Sequence, residues 1–214
     1  MTRKLLIAIP SYETMRVEFS RSLMGLEARL NEMKVWYEVK IIDGTLVHIA
    51  RDRLAKHAVN NEFTEVLWID SDMVFSQEIY EDLSQHGKDF VCGNFISRHH
   101  PYVSCIFSKL LPPERIYDFG DGDLMRVAGC GFGCVWMKAQ VLRDVLMNEN
   151  GQAFIPDPKL GEDLAFCMRA KKAGYEIWCD PTARVGHVGY ITIWPEDGQR
   201  MRGEIQGLDG KTIN

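Results

Sequence analysis

The sequence predicts an α/β fold built on a mostly parallel sheet flanked by helices. Three observations carry that reading. Short apolar runs alternate with stretches of helical period through the first ninety residues. The runs are too short for helices and rich in β-branched residues. Each run stops abruptly at a polar or turn-forming motif, the pattern of strands feeding crossover helices.

The elements follow in order. Residues 4–9 hold Leu5, Leu6, Ile7, Ala8 and Ile9 and stop at Pro10-Ser11, which reads as a buried first strand. Over residues 17–33, Phe19, Leu23, Leu26 and Leu30 recur three or four apart and mark one face of a helix. Residues 35–42 alternate as a strand does and end at Asp43-Gly44. Residues 49–59 read as a helix with Ala50, Leu54, Ala55 and Ala58 inward. Val66-Leu67-Trp68-Ile69 is a third buried strand that ends at Asp70-Ser71-Asp72. Ser76 is placed to cap a helix running through Leu83, and Phe90-Val91-Cys92 is a fourth strand. Sheets of this order bind ligands beyond the carboxyl ends of their strands. The motifs Pro10-Ser11-Tyr12-Glu13, Asp43-Gly44-Thr45 and Asp70-Ser71-Asp72 are therefore expected on one rim.

The second half is less regular. Residues 94–125 contain His99-His100-Pro101, Pro112-Pro113 and Gly120-Asp121-Gly122-Asp123, and read as loops and short strands rather than a separate domain. Residues 127–137 carry Gly129, Gly131 and Gly133 among apolar neighbours. A helix is expected over 161–174, opening at Glu162-Asp163 and closing on a glycine. Residues 176–179 and 183–188 read as late strands. One domain thus spans 1–194, with a small mixed or antiparallel element in its second half, followed by a polar, glycine-rich tail over 195–214.

Composition excludes several classes. With 214 residues, 46% hydrophobic and 26% charged, the chain is neither disordered, collagenous nor membrane-spanning. A formal charge of −5 argues against a dedicated nucleic-acid binder, whose affinity comes from counterion release by positive charge. Arg98-His99-His100 with Lys171-Lys172 is the only modest basic strip. The six cysteines show neither a CxxC pair nor zinc-type spacing and are expected to be buried free thiols. The apolar run at 5–9 is shorter than a secretory core segment, so the expected location is cytoplasmic.

Two Asp-x-Asp pairs occur. Asp121-Gly122-Asp123 lies in turn-forming sequence and reads as a turn. Asp70 and Asp72 follow directly on four large apolar residues, where two carboxylates repel each other unless a cation relieves them. Carboxylate oxygens suit Mn²⁺ or Mg²⁺, which commonly share their coordination with substrate phosphates. The alternative is that Asp70 merely caps a helix or sits in a loop.

On these residues the chain resembles the GT-A glycosyltransferases, and glycosyltransferase family two in particular. Leu67-Trp68-Ile69-Asp70-Ser71-Asp72-Met73 is similar to the DxD segment of these nucleotide-sugar-dependent enzymes, and Ile9-Pro10-Ser11-Tyr12 to their nucleotide-binding turn. Asp43-Gly44-Thr45 and Ala50-Arg51-Asp52 resemble the DGS and ARN segments, with Thr45 and Asp52 as departures. Gly129-Cys130-Gly131-Phe132-Gly133 resembles the glycine-rich loop, Gly161-Glu162-Asp163 the xED motif, and Gly186-His187 the late metal-binding histidine.

The resemblance implies a nucleotide-binding half at about 1–93 and an acceptor half at about 94–194. It implies a UDP-sugar donor, with Pro10, Ser11, Tyr12, Asp43, Arg51, Asp70, Ser71, Asp72 and Gly131 around it. Asp43 would bond the base, and Arg51 would face the uracil or phosphates. Asp72 would ligate Mn²⁺ (or Mg²⁺) directly, His187 would add a ligand, and Asp70 would touch ribose or metal-bound water. Asp163 would be the general base of an inverting displacement, kept ionised by the helix dipole, with Glu162 contacting the acceptor or orienting the loop. The glycines would allow close backbone approach to sugar or acceptor, and Trp194 is a candidate for stacking on a sugar.

The competing readings are a sugar-nucleotide-forming nucleotidyltransferase and a non-catalytic nucleotide or glycan binder. The acceptor stays open among a small glycan, a protein, a lipid headgroup and a hydroxylated DNA base. A homo-oligomer is also left open.

Overall fold

A computed structural model of the chain describes residues 3–12, 14–189 and 192–193. Glu13, Trp194 and the tail from 195 lie outside the described residues, so the readings placed on them are not addressed by the fold.

The chain runs β1 (Lys4–Pro10), α1 (Val17–Glu32), β2 (Trp36–Ile42), α2 (Val47–Asn60), β3 (Glu65–Ile69), β4 (Met73–Val74), α3 (Ile79–Ser84), β5 (Phe90–Asn94), β6 (Ile106–Leu110), β7 (Pro113–Arg115), β8 (Met125–Val127), β9 (Gly129–Cys130), β10 (Cys134–Lys138), α4 (Ala139–Asn148), α5 (Gly161–Lys172), β11 (Ile177–Arg184), β12 (Gly186–Val188) and β13 (Thr192–Ile193). Among the described residues the strands form a seven-stranded sheet in the order β2-β1-β3-β10-β5-β11-β8 and two three-stranded sheets, β13-β12-β4 and β7-β6-β9.

The α/β class and the flanking helices are as expected. The central sheet, however, is mixed. β1 lies parallel to β2 and β3, and β5 is parallel to β11. β10 enters antiparallel between β3 and β5, and β8 is antiparallel to β11. The crossover through α3 leaves room for one strand between β3 and β5. The glycine-bearing segment fills it from the opposite direction after its excursion through β6–β9.

The two faces of the sheet hold two cores. Alternate side chains of β1 and β3, among them Leu6, Ala8, Val66 and Trp68, pack on α2, α4 and α5. Their neighbours Leu5, Ile7, Ile9, Leu67 and Ile69 pack on α1 and α3. This two-sided burial explains why these strands read as continuous apolar runs. β2, at the sheet edge, is only half covered. The six cysteines are free and, apart from the half-buried Cys105, buried. No helix among the described residues is long and apolar enough to cross a membrane.

Three local expectations are corrected. Ser76 does not cap α3. Its hydroxyl accepts the Glu78 N–H at 3.1 Å, and Glu78 stands at the N-cap, so Ser76 shapes the turn before the helix. The late strands at 176–179 and 183–188 are replaced by one continuous β11 and a short β12. A register shift between Asp180 and Arg184 marks the irregularity. There Asp180 Oδ1 accepts the N–H groups of Thr182 at 2.8 Å and Ala183 at 3.3 Å, which the shifted ladder leaves free. Finally, α4 has no counterpart in the expected elements. Its stripe of Val141, Leu142, Val145 and Leu146 is helical, but the helix starts at Ala139 directly after β10 ends at Lys138, with no turn residue between them.

Gly133 joins β10 to the rim. A Cβ there would stand 2.8 Å and 2.9 Å from the ring of Phe95, which is buried, and would collide with Met73. Gly133→Ala is therefore expected to cost about 1–3 kcal/mol through overpacking. The shift in urea midpoint measures it, and an unchanged midpoint would mean that the Phe95 contact yields freely.

Candidate active site

The rim at the β1, β2 and β3 exits is tied together by backbone bonds. Ser11 N–H donates to Ile42 O at 2.9 Å, and Gly44 N–H donates to Tyr12 O at 3.2 Å. Between the loops lies a cleft of about 320 Å³. Pro10, Ser11, Tyr12, Thr14 and Arg16 form one wall, and Thr45 and Val47 another. Asp70, Ser71, Asp72 and Arg98 close its inner end. Asp43 is exposed and does not line this cleft. Nor do Gly131 and Arg51.

Arg51 instead points inward and is only 2% exposed. Its Nη2 donates to Asp70 Oδ1 at 3.0 Å and Oδ2 at 3.2 Å. Its Nη1 donates to Glu162 Oε1 at 3.0 Å and to Asp163 Oδ1. The expected orientation toward base or phosphate is thus replaced by a salt-bridge hub joining α2, the β3 exit and the first turn of α5. The neighbouring Asp52 is structural: its Oδ1 accepts the Phe154 N–H at 2.8 Å.

One guanidinium faces three carboxylates, and the imbalance shows in their acidities. Burial pushes Asp163 up to about 7. Arg51 pulls against this, while Glu162 and Asp70 add to it. The helix dipole, expected to keep Asp163 ionised, is outweighed. Asp163 Oδ2 also accepts the Phe132 N–H at 3.2 Å, from the glycine-rich segment. Asp70 is likewise raised, by burial and by Asp72, with Arg51 opposing.

A second cluster forms at Asp72. β12 pairs antiparallel with β4, which sets His187 opposite Met73. Val188 N–H donates to Asp72 O at 2.8 Å and locks the two segments together. His187 Nδ1 lies 2.9 Å from the Ile96 carbonyl. A carbonyl only accepts, so Nδ1–H donates to it, and Nε2 faces Asp72 Oδ2, 3.4 Å away. Arg98 Nη1 bonds that same oxygen. Burial alone would raise Asp72, but His187 and Arg98 hold it below the usual carboxylate range. Among the described residues, no three His, Cys, Asp or Glu side chains converge as a metal cage. Asp72 and His187 offer one oxygen and one nitrogen donor beside the cleft.

Gly131 sits behind this cluster. Its N–H donates to Cys105 O at 2.8 Å, and a Cβ would meet the Phe95 ring at 3.0 Å. The Phe95 ring in turn packs edge-on against His187, with centroids 6.2 Å apart. The glycines here serve internal packing of the groups that support His187.

Arg98 and the hub role of Arg51 escape the sequence reading. Arg98 is noticed there only as part of a basic strip. Arg51 carried a usable signal: it falls at i, i+4, i+7 with Ala55 and Ala58 on the buried face of α2, where a guanidinium requires carboxylate partners.

Removing Arg51 strands three acidic groups in a half-buried site. Arg51→Met is expected to lose about 3–5 kcal/mol of stability at neutral pH, in line with breaking buried ion pairs from one side. Urea denaturation at pH 7 reads it, and a loss below 1 kcal/mol would show that the carboxylates do not depend on the guanidinium.

No family model matches the chain. Among solved structures, A197 from STIV superposes with a TM-score of 0.60 over 91% of each chain at 19% identity. UDP-glucose pyrophosphorylase complexed with UDP-glucose superposes with a TM-score of 0.51 over 95% of this chain and 100% of that one, at 8% identity. A glycosyltransferase involved in glycosylation of the major capsid of PBCV-1 overlaps 72% of this chain at 11% identity, with a TM-score of 0.34 that carries no weight. At these identities the likeness establishes the fold: a GT-A-like α/β domain with a large mixed sheet flanked by helices.

Proposed function

We propose that the chain is a metal-dependent glycosyltransferase that moves a sugar from a UDP-linked donor to a hydroxyl acceptor with inversion. One observation carries this reading. A single side chain, Arg51, links Asp70 on the cleft wall to Asp163, a carboxyl poised near neutrality, while Asp72 and His187 stand beside Asp70. The fold likeness to a protein complexed with UDP-glucose supports it at the level of scaffold.

The cleft lined by Pro10–Tyr12, Thr45 and Val47 is the place we assign to the donor, with its diphosphate toward Ser71 and Asp72. Asp72 and His187 are the groups to hold Mn²⁺ or Mg²⁺, and the imidazole oriented by the Ile96 carbonyl suits that work. Held by these two side chains, such an ion would supply positive charge to offset the negative charge that develops on a departing diphosphate. Asp163 takes the proton from the acceptor hydroxyl as that oxygen bonds to the anomeric carbon and the bond to UDP breaks. Glu162, a second acceptor of Arg51 Nη1, keeps the guanidinium shared rather than wholly committed to Asp163.

The nucleotidyltransferase alternative wants a glycine-rich, basic loop after the first strand, and Pro10-Ser11-Tyr12 is neither. A pure binder would not need Asp163 joined through Arg51 to the carboxylate at the cleft.

Mn²⁺ together with UDP is expected to raise the melting temperature, and Asp72→Ala to abolish the metal-dependent part of that rise. A panel of nucleoside diphosphates and their sugars in a thermal-shift assay decides this; no response to any of them, with or without Mn²⁺, sinks the proposal. Asp163→Asn should retain donor binding and lose about 10²–10⁴-fold in transfer. In the wild type, transfer should climb with pH through about 7 as Asp163 loses its proton. The same group sets a stability trend of opposite sense. Its proton affinity is higher folded than unfolded, so it contributes most below pH 4 and progressively less as pH rises to 7. Asp163→Asn should flatten that slope, and an unchanged slope would place the titration elsewhere.

A further inference from the structure

Asp72 Oδ2 is approached by two groups at once, His187 Nε2 and Arg98 Nη1. His187 is held by its own hydrogen bond to Ile96 O and by the pairing of β12 with β4. Asp72 is held by the backbone bond from Val188. Arg98 is different. It comes from the segment between β5 and β6, its side chain is 37% exposed against 17% for Asp72 and 14% for His187, and it lines the cleft. Of the three groups it is the one free to change partners without disturbing a sheet.

A divalent ion on that oxygen and a guanidinium on the same oxygen are like charges at contact distance, in a site poorly screened by water. They exclude each other. A guanidinium displaced toward the cleft meets the place where a diphosphate lies, and its planar fork matches phosphate oxygens well.

Resting on the proposed function, we propose that Arg98 is an exchangeable counter-cation: it neutralises Asp72 in the free protein and passes to the donor diphosphate when metal enters. The cost of parting Arg98 from Asp72 is then shared by the two ligands. Whichever binds first spares the second that cost, so UDP and metal bind with positive coupling beyond their direct contact.

The test is a titration of Mn²⁺ followed by the electron paramagnetic resonance of the free ion, with and without UDP. Wild type, Arg98→Gln and Arg98→Lys are compared, and thermal melts confirm that each is folded. In the wild type, Mn²⁺ alone should bind weakly, and UDP should strengthen it at least about tenfold. Arg98→Gln should bind Mn²⁺ alone about tenfold more tightly, bind UDP in the presence of Mn²⁺ more weakly, and show a smaller coupling factor. Arg98→Lys keeps the charge and should behave like the wild type toward Mn²⁺ alone. Equal affinity of wild type and Arg98→Gln for Mn²⁺ without UDP overturns the exchange while leaving the metal site standing. Failure of the wild type to take up Mn²⁺ even with UDP overturns both.

Discussion

A guanidinium cannot lie buried without acidic partners, and Arg51 finds three. They arrive from places far apart in the chain: Asp70 from the end of β3, Glu162 and Asp163 from the first turn of α5. That one requirement pins the start of α5 against the rim of the sheet. It also brings together the two halves of the domain, because α2 and β3 belong to the first and α5 to the second. Without the guanidinium the acidic groups would repel, and the cleft wall would have no reason to face the helix that bears Asp163.

The charges around the rim divide into two kinds. The inner group is permanent: Arg51 is almost inaccessible, and its partners share it in a fixed geometry. The outer group is exchangeable: Asp72 is held by Arg98 from an exposed direction and faced by an imidazole whose far nitrogen is locked. On the proposed function, this division reconciles an acidic protein with an anionic ligand. The inner carboxylates are offset by a cation that never leaves. The outer carboxylate has a partner that can turn toward phosphate. Asp163 sits on the inner side, where burial and neighbouring negative charge raise its affinity for a proton into the range that base catalysis uses.

Much of this was legible in the residues. The apolar runs of β1, β3 and β5, the helical stripes of α1 and α2, and the acidic start of α5 all follow from local periodicity and turn chemistry, and they appear at the expected places. Asp70, Ser71 and Asp72 could be set at a strand exit for the same reason. What local pattern does not contain is sheet order and direction. β10 reads as an apolar, glycine-punctuated strand whichever way it runs, and only the gap left beside β3 makes it antiparallel. α4 follows β10 with no turn residue between them, so no local break separates strand from helix. The glycines at 131 and 133 stand out in the sequence, but what they make room for, the ring of Phe95, is set by tertiary packing. Arg98 was invisible as a site residue because its partner lies 26 positions away, across a loop that no periodicity describes.

Metal binding between Asp72 and His187 is the point on which the proposed chemistry turns. Crystals grown with Mn²⁺ and UDP, measured at a wavelength where manganese scatters anomalously, address it directly. The expected result is one anomalous peak in contact with Asp72 Oδ2 and His187 Nε2, with the diphosphate on its open side. A nucleotide bound in the cleft with no manganese at that point, or manganese bound elsewhere, would contradict it.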